Sequence, residues 1–171
     1  MPERVRTTDE RGDPGGVTLV LAPGVSEGEP AACADLLSGA DAALAVSLRH
    51  PPDRWLAARE STPPTWFVTT SPHQDSVRTV ADPRDLTGVG IAVSEFLEGL
   101  PDDAEPAVCV DSLTTLLQYS DPPRVYRFLQ VLCGRVRAAD GAVHCHADPA
   151  AHDDAVLDSL LGLFDDAVAV D

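Results

Sequence analysis

Two places along the chain carry residue types that could do chemistry. His144, His146, Asp148 and His152 form a metal-like cluster. On a strand, His144 and His146 would point to one face. Asp148 or His152, from the turn that follows, could then complete a set for zinc or another divalent ion. The alternative stays open at this point: His144 as a satisfied core or edge histidine, the others as surface residues. The second place is Asp111-Ser112, directly after the apolar run 107–110. Ser112, His146 and Asp148 have the residue types of a hydrolase triad, but no GxSxG elbow precedes the serine. Capping the helix that follows is the better reading of Ser112. The four cysteines, Cys33, Cys109, Cys133 and Cys145, include no CxxC pair. Three sit in apolar runs, where a free thiol behaves as a small buried hydrophobe.

The elements that must position these residues are legible as an alternation. Short apolar runs at 17–22, 43–48, 65–69, 107–110, 142–146 and 167–170 read as buried strands. Between them lie helical segments: 29–37, with Pro30 in the first turn and Gly39 as a stop; a short one at 52–60 with Trp55 and Leu56; and one begun by Asp82-Pro83-Arg84-Asp85, with Asp82 as the N-cap, Pro83 at the first helical position and Asp85 as an acid in the first turn. That last helix repeats Leu86, Val89, Val93, Phe96, Leu97 and Leu100 at helical spacing. A long amphipathic helix follows Asp121-Pro122-Pro123 and stops at Gly141. Asp148-Pro149 reads as the cap of a helix bearing Val156, Leu157, Leu160 and Leu161. Trp55 and Trp66 are apolar anchors, and Arg124, Arg127, Arg135 and Arg137 suit a solvated face. Strands apolar on both faces and alternating with helices predict a three-layer α/β fold, a mainly parallel sheet with helices on both faces. Functional groups of such sheets gather at the carboxyl ends of the strands, here around 22–28, 49–50, 69–73, 111–115 and 146–148. Residues 1–16 read as a flexible tail, and 17–171 as a single domain.

Composition narrows the setting. Leu, Val, Ile and Phe make up about a quarter of the 171 residues, enough for a core. The 28 acidic residues outnumber 12 basic ones, for a formal net charge of −16. Every basic residue is arginine; lysine and asparagine are absent, and one isoleucine stands against 19 valines. This resembles the composition of proteins from extreme halophiles such as haloarchaea, whose acidic surfaces stay hydrated while concentrated salt screens the self-repulsion. So negative a chain is a poor match for nucleic acid. The N-terminal segment has no apolar stretch of a signal peptide, and no run approaches a membrane span. The expected place is the cytoplasm, with no membrane partner.

The stretch 108–117, Val-Cys-Val-Asp-Ser-Leu-Thr-Thr-Leu-Leu, resembles the Walker B region of RecA/KaiC-type ATPases, where an apolar strand ends in Asp-Ser followed by Leu. The order of first strand, loop, helix, and later long helix, glycine and strand is also similar, over roughly residues 17–170. The runs 85–91 and 163–165 look like those of uncharacterised haloarchaeal proteins related to this fold. The resemblance implies a RecA-like, P-loop NTPase-type sheet and places Asp111 and Ser112, with Gly24 and Gly28 of the first loop, at a vestigial nucleotide and magnesium site.

The same resemblance exposes two losses. The loop at 22–29, Ala-Pro-Gly-Val-Ser-Glu-Gly-Glu, lacks the lysine that reaches the β and γ phosphates and puts two glutamates near its position. A carboxylate about 4 Å from a phosphate charge costs on the order of 4 kcal/mol at an effective dielectric near 20. Where KaiC-like enzymes place paired glutamates at the end of the second strand, this chain has Arg49 and His50. The expectation is therefore a degenerate pseudo-ATPase with no catalytic residues and no cofactor, acting in regulation or signalling on a protein partner. By analogy, RecA-like domains form rings or filaments, so a homo-oligomer belongs to the expectation. Two alternatives accompany it: a module that binds a nucleotide or other small molecule at the strand ends without hydrolysis, and the divalent-metal site at His144 and His146.

Overall fold

The computed structural model describes residues 5–7, 16–70, 76–80 and 82–171. Among the described residues, eight strands form one sheet: β1 (Val5–Thr7), β2 (Val17–Leu21), β3 (Ala42–Ser47), β4 (Thr65–Thr69), β5 (Ser76–Thr79), β6 (Pro106–Asp111), β7 (Ala142–Ala147) and β8 (Asp166–Ala169). Their order is β1-β8-β2-β7-β6-β3-β4-β5, and every pairing is parallel. The helices are α1 (Glu29–Leu37), α2 (Pro52–Ala57), α3 (Leu86–Glu98), α4 (Leu113–Tyr119), α5 (Pro122–Ala138) and α6 (Asp154–Leu161). The α/β class and the parallel sheet expected from the alternation are what the structure has.

The two faces of the sheet differ in bulk. Leu19, Leu21, Leu44, Val46, Val68, Val108, Val110 and Val143 pack with Leu86, Val89 and Val93 of α3 and with Leu113, Leu129, Val136 and Leu160 of α4 to α6. The opposite face is built from small residues, Ala43, Ala45, Ala107 and Cys109 beside Phe67, and receives Cys33 and Leu37 of α1 with Trp55 of α2. Trp55 is fully buried, edge-on to Phe67 at 5.4 Å between centroids. The Arg59 guanidinium lies 3.9 Å from its ring centroid. Trp66, in contrast, is 41% exposed.

Several boundaries differ from the sequence reading, each for a local reason. Val5–Thr7, placed in the tail, pairs with β8. β5, too polar to register as an apolar run, pairs with β4. The cap of α3 is Asp85, not Asp82: its side chain accepts the Gly88 N–H at 2.8 Å, while Asp82 holds Arg84 in the turn before. Asp148 caps a single 3-10 turn at Pro149–Ala151, and α6 starts only after Asp153. α5 ends at Ala138, and the left-handed residue after it is Asp140 (φ 57°) rather than Gly141, whose N–H bonds the Val136 carbonyl at 2.9 Å. Among the described residues no helix is long and apolar enough to cross a membrane.

Candidate functional site

The carboxyl ends of β2, β3 and β6 converge on the small-residue face beneath the start of α1. Parallel pairing sets Ser47 beside Asp111, so the residues just after β3 hang over the end of β6. Arg49 takes that position. Its guanidinium bonds the Asp111 carboxylate on one side and the Glu29 carboxylate on the other. Arg59 Nη2 lies 3.9 Å from the second Asp111 oxygen. Asp111 is 1% exposed, so its two oxygens face cations of the chain itself. Burial alone would raise the pKa of Glu29; His146 and Arg49 outweigh it and hold the carboxyl below its ordinary range. Burial likewise works against the Arg49 charge, and Asp111 and Glu29 overcome it and raise its pKa.

The loop between β2 and α1 is closed in the same manner. A phosphate-binding loop works by aiming free backbone N–H groups at the anion. Here the Gly24 N–H donates to Asp148 Oδ2 at 3.0 Å. The Gly28 N–H donates to the Asp171 carbonyl at 3.3 Å, and the Glu29 N–H to Ser26 Oγ at 3.1 Å. Ser26 Oγ in turn donates to the Asp171 carbonyl. Pro30 has no N–H to offer. The chain's own groups engage the carboxylate of Asp111 and the N–H groups of Gly24 and Gly28. Ser112 is fully buried and caps α4, accepting the Thr115 N–H at 3.2 Å. His50 sits beside Arg49, its carbonyl accepting from Ser47 Oγ at 2.6 Å.

Beneath this network lies a second cluster. His144 and His146 do share a face of β7, with ring centroids 5.0 Å apart. Asp148 and His152 do not join them: Asp148 serves Gly24 and the Ala150 N–H, and His152 Nε2 pairs with Thr114 Oγ1 at 2.9 Å. The groups that do approach are two thiols. Cys109 stands beside His144 in the β6–β7 register, and Cys33 reaches down from α1. Cys33 Sγ lies 3.1 Å from His144 Nε2 and 3.9 Å from Cys109 Sγ. One ligand atom from each of Cys33, Cys109, His144 and His146 lies within 4.8 Å of the other three, and all four residues are buried.

The electrostatics of this cluster are tense. Both ring nitrogens of His146 are buried without a hydrogen-bond partner, a condition that costs about 1–3 kcal/mol for a polar group. Burial disfavours its charged form, yet Cys33 and Glu29 outweigh burial and push its pKa up to about 10. Burial raises the Cys33 thiol, and the neighbouring Cys109 and His144 reverse this and draw it well below its ordinary range. Cys109 moves the other way, pushed up by burial and by Cys33. Arg59 Nε donates to Cys33 Sγ at 3.2 Å.

Residues 15–170 match a family of unknown function, DUF7504. The chain belongs to that family. No curated protein matches this DUF7504 chain. Its fold is similar to that of a Pyrococcus horikoshii OT3 protein solved as project PH0250, with a TM-score of 0.67 and 13% identity over 94% of this chain and 84% of that one. It is also similar to the flagellar accessory protein FlaH of Methanocaldococcus jannaschii, with a TM-score of 0.51 and 10% identity over 91% of this chain and 70% of that one. At such identities the likeness establishes the fold, which is RecA-like. Sequence reasoning found Asp111 and the histidine pair in this DUF7504 fold but missed Glu29, Arg59, Cys33 and Cys109 as their partners. Parity was the available signal: residues 109 and 111 on β6 and 144 and 146 on β7 occupy one face once the register is set.

Proposed function

We propose that this chain is a non-catalytic RecA-like domain that acts through protein contacts, in regulation or signalling, in the salt-rich cytoplasm of a haloarchaeon. One observation carries the reading: Arg49 bonds both Glu29 and Asp111, the residue to which the Walker B resemblance gives the magnesium role. A cation at Asp111 would have to displace a guanidinium that is already bonded twice. A phosphate at the loop would meet Glu29 instead of lysine, and N–H groups already engaged at Gly24, Gly28 and Glu29. The scaffold is kept while its chemistry is replaced by internal ion pairing, which suits a domain used for its surface. The net charge of −16 favours a protein over nucleic acid as partner.

The test is ATP hydrolysis by the isolated chain in molar KCl. A rate no greater than that of buffer is expected. A clear rate that Asp111→Ala abolishes would overturn the proposal.

A further inference from the structure

We propose that Cys33, Cys109, His144 and His146 are the four ligands of a closed zinc site that fastens α1 to the sheet. The inference does not depend on whether the crevice above binds a nucleotide. Two thiolates and two imidazoles form a donor set characteristic of tetrahedral zinc. Their ligand atoms already lie within 4.8 Å of one another. The two sulfur atoms, 3.9 Å apart, are much too far for a disulfide at about 2.05 Å. They match the separation of about 3.8 Å that two sulfurs take across a tetrahedral zinc with bonds near 2.3 Å. None of the four residues is more than 3% exposed, so the site has no open position for substrate and is structural in type.

A second observation points independently to a ligand. His146 is fully buried with neither ring nitrogen hydrogen-bonded. A metal at Nε2 would satisfy one, leaving Nδ1 facing Glu29 Oε2 at 3.6 Å. That is the carboxylate–histidine–metal arrangement by which an outer carboxylate orients a metal-bound imidazole. On the other side, the Arg59 N–H on Cys33 Sγ is the kind of bond that supports a metal-bound thiolate. Two thiolates and a divalent cation sum to zero charge, which makes the burial of the set tolerable.

The neighbouring trio Glu29, Asp111 and His146 also comes within ligand distance. The Arg49 guanidinium already bonds both of its carboxylates, so a divalent cation there would meet a fixed positive charge. In the cysteine and histidine set a guanidinium reaches only Cys33, through the single Arg59 N–H on its Sγ at 3.2 Å. The metal would also address a weakness of α1. The fully or nearly fully buried side chains of this helix are Glu29, Cys33 and Leu37, a single stripe with one large apolar anchor. A bond from Cys33 through zinc to Cys109 on β6 and to the histidines on β7 ties the helix to two central strands.

The test uses the full chain, expressed without an affinity tag and purified in molar KCl free of chelator. Elemental analysis should find one zinc per chain, either as isolated or after adding zinc and removing the excess. Cobalt(II) in its place should give the intense visible bands of a tetrahedral, thiolate-bound ion. Cys33→Ser and Cys109→Ser should lose the metal, while Cys133→Ser and Cys145→Ser keep it. A metal content near zero together with no tetrahedral cobalt spectrum on the wild-type chain overturns the proposal, as does a Cys33–Cys109 disulfide in freshly isolated protein. If the first two variants fail to fold, the wild-type cobalt spectrum decides alone.

Discussion

Replacing Arg49 with methionine keeps most of the side-chain volume and removes the charge that joins Glu29 to Asp111. One guanidinium–carboxylate contact near 4 Å is worth about 4 kcal/mol at an effective dielectric of 20. Removing one partner of a buried pair typically costs about 3–5 kcal/mol, because the other charge stays buried. Two features moderate that figure here. The Arg49 side chain is 21% exposed, and Asp111 keeps a second cationic neighbour in Arg59. The expected loss is about 2–3 kcal/mol. Urea denaturation at fixed, molar KCl measures it. At such salt the Debye length is about 3 Å, which removes exposed pairs but leaves this one largely unscreened. The Arg84–Asp82 pair, at 65% and 37% exposure, is the internal control: Arg84→Met should leave the urea midpoint unchanged. Combining Arg49→Met with Asp111→Asn removes the orphaned charge and should restore at least about 1 kcal/mol through the coupling of the two sites. An Arg49→Met loss below about 0.5 kcal/mol, or strict additivity with Asp111→Asn, would mean that Arg49 does not hold the buried carboxylates.

Three further outcomes follow from the geometry. Gly141→Ala would set a Cβ 2.7 Å from the Pro106 carbonyl and 2.8 Å from Val136 Cγ1, so thermal unfolding should show a loss of about 1–3 kcal/mol. Asp148→Ala removes the acceptor of the Gly24 and Ala150 N–H groups; denaturation should register about 1 kcal/mol, with faster hydrogen exchange at Gly24. The pKa of Asp165 is lowered by the Val17 N–H and further by Arg137. Its stabilising contribution is therefore present above the unfolded carboxylate value of about 3.9 and lost as the pH falls through the lower folded value. The stability gap between wild type and Asp165→Asn, measured by urea denaturation across acid pH, should close on that descent.

The sheet was legible in the sequence because its central strands are short runs of Val, Leu and Ala buried on both faces, bounded by Pro and Gly. β5 escaped because Ser-Val-Arg-Thr carries no such run, and β1 because three residues make no pattern. The site divided in the same way. Asp111 and the pair His144 and His146 show themselves through local context, as the end of an apolar strand and as alternate residues of one. Their partners do not. Cys33 lies 76 residues from Cys109 and 111 from His144, and no local spacing relates them until the strand order is known. Arg49 read only as a missing carboxylate. The register that puts Ser47 beside Asp111 makes it the cation that bonds Asp111 and Glu29.

Glu29, Arg49 and Asp111 bond one another, which would leave no place for magnesium and phosphate at Asp111. Calorimetric titration of the folded protein with ATP and magnesium in molar KCl tests this. No binding heat beyond dilution is expected. A saturable, one-to-one binding heat that Asp111→Ala removes would contradict it.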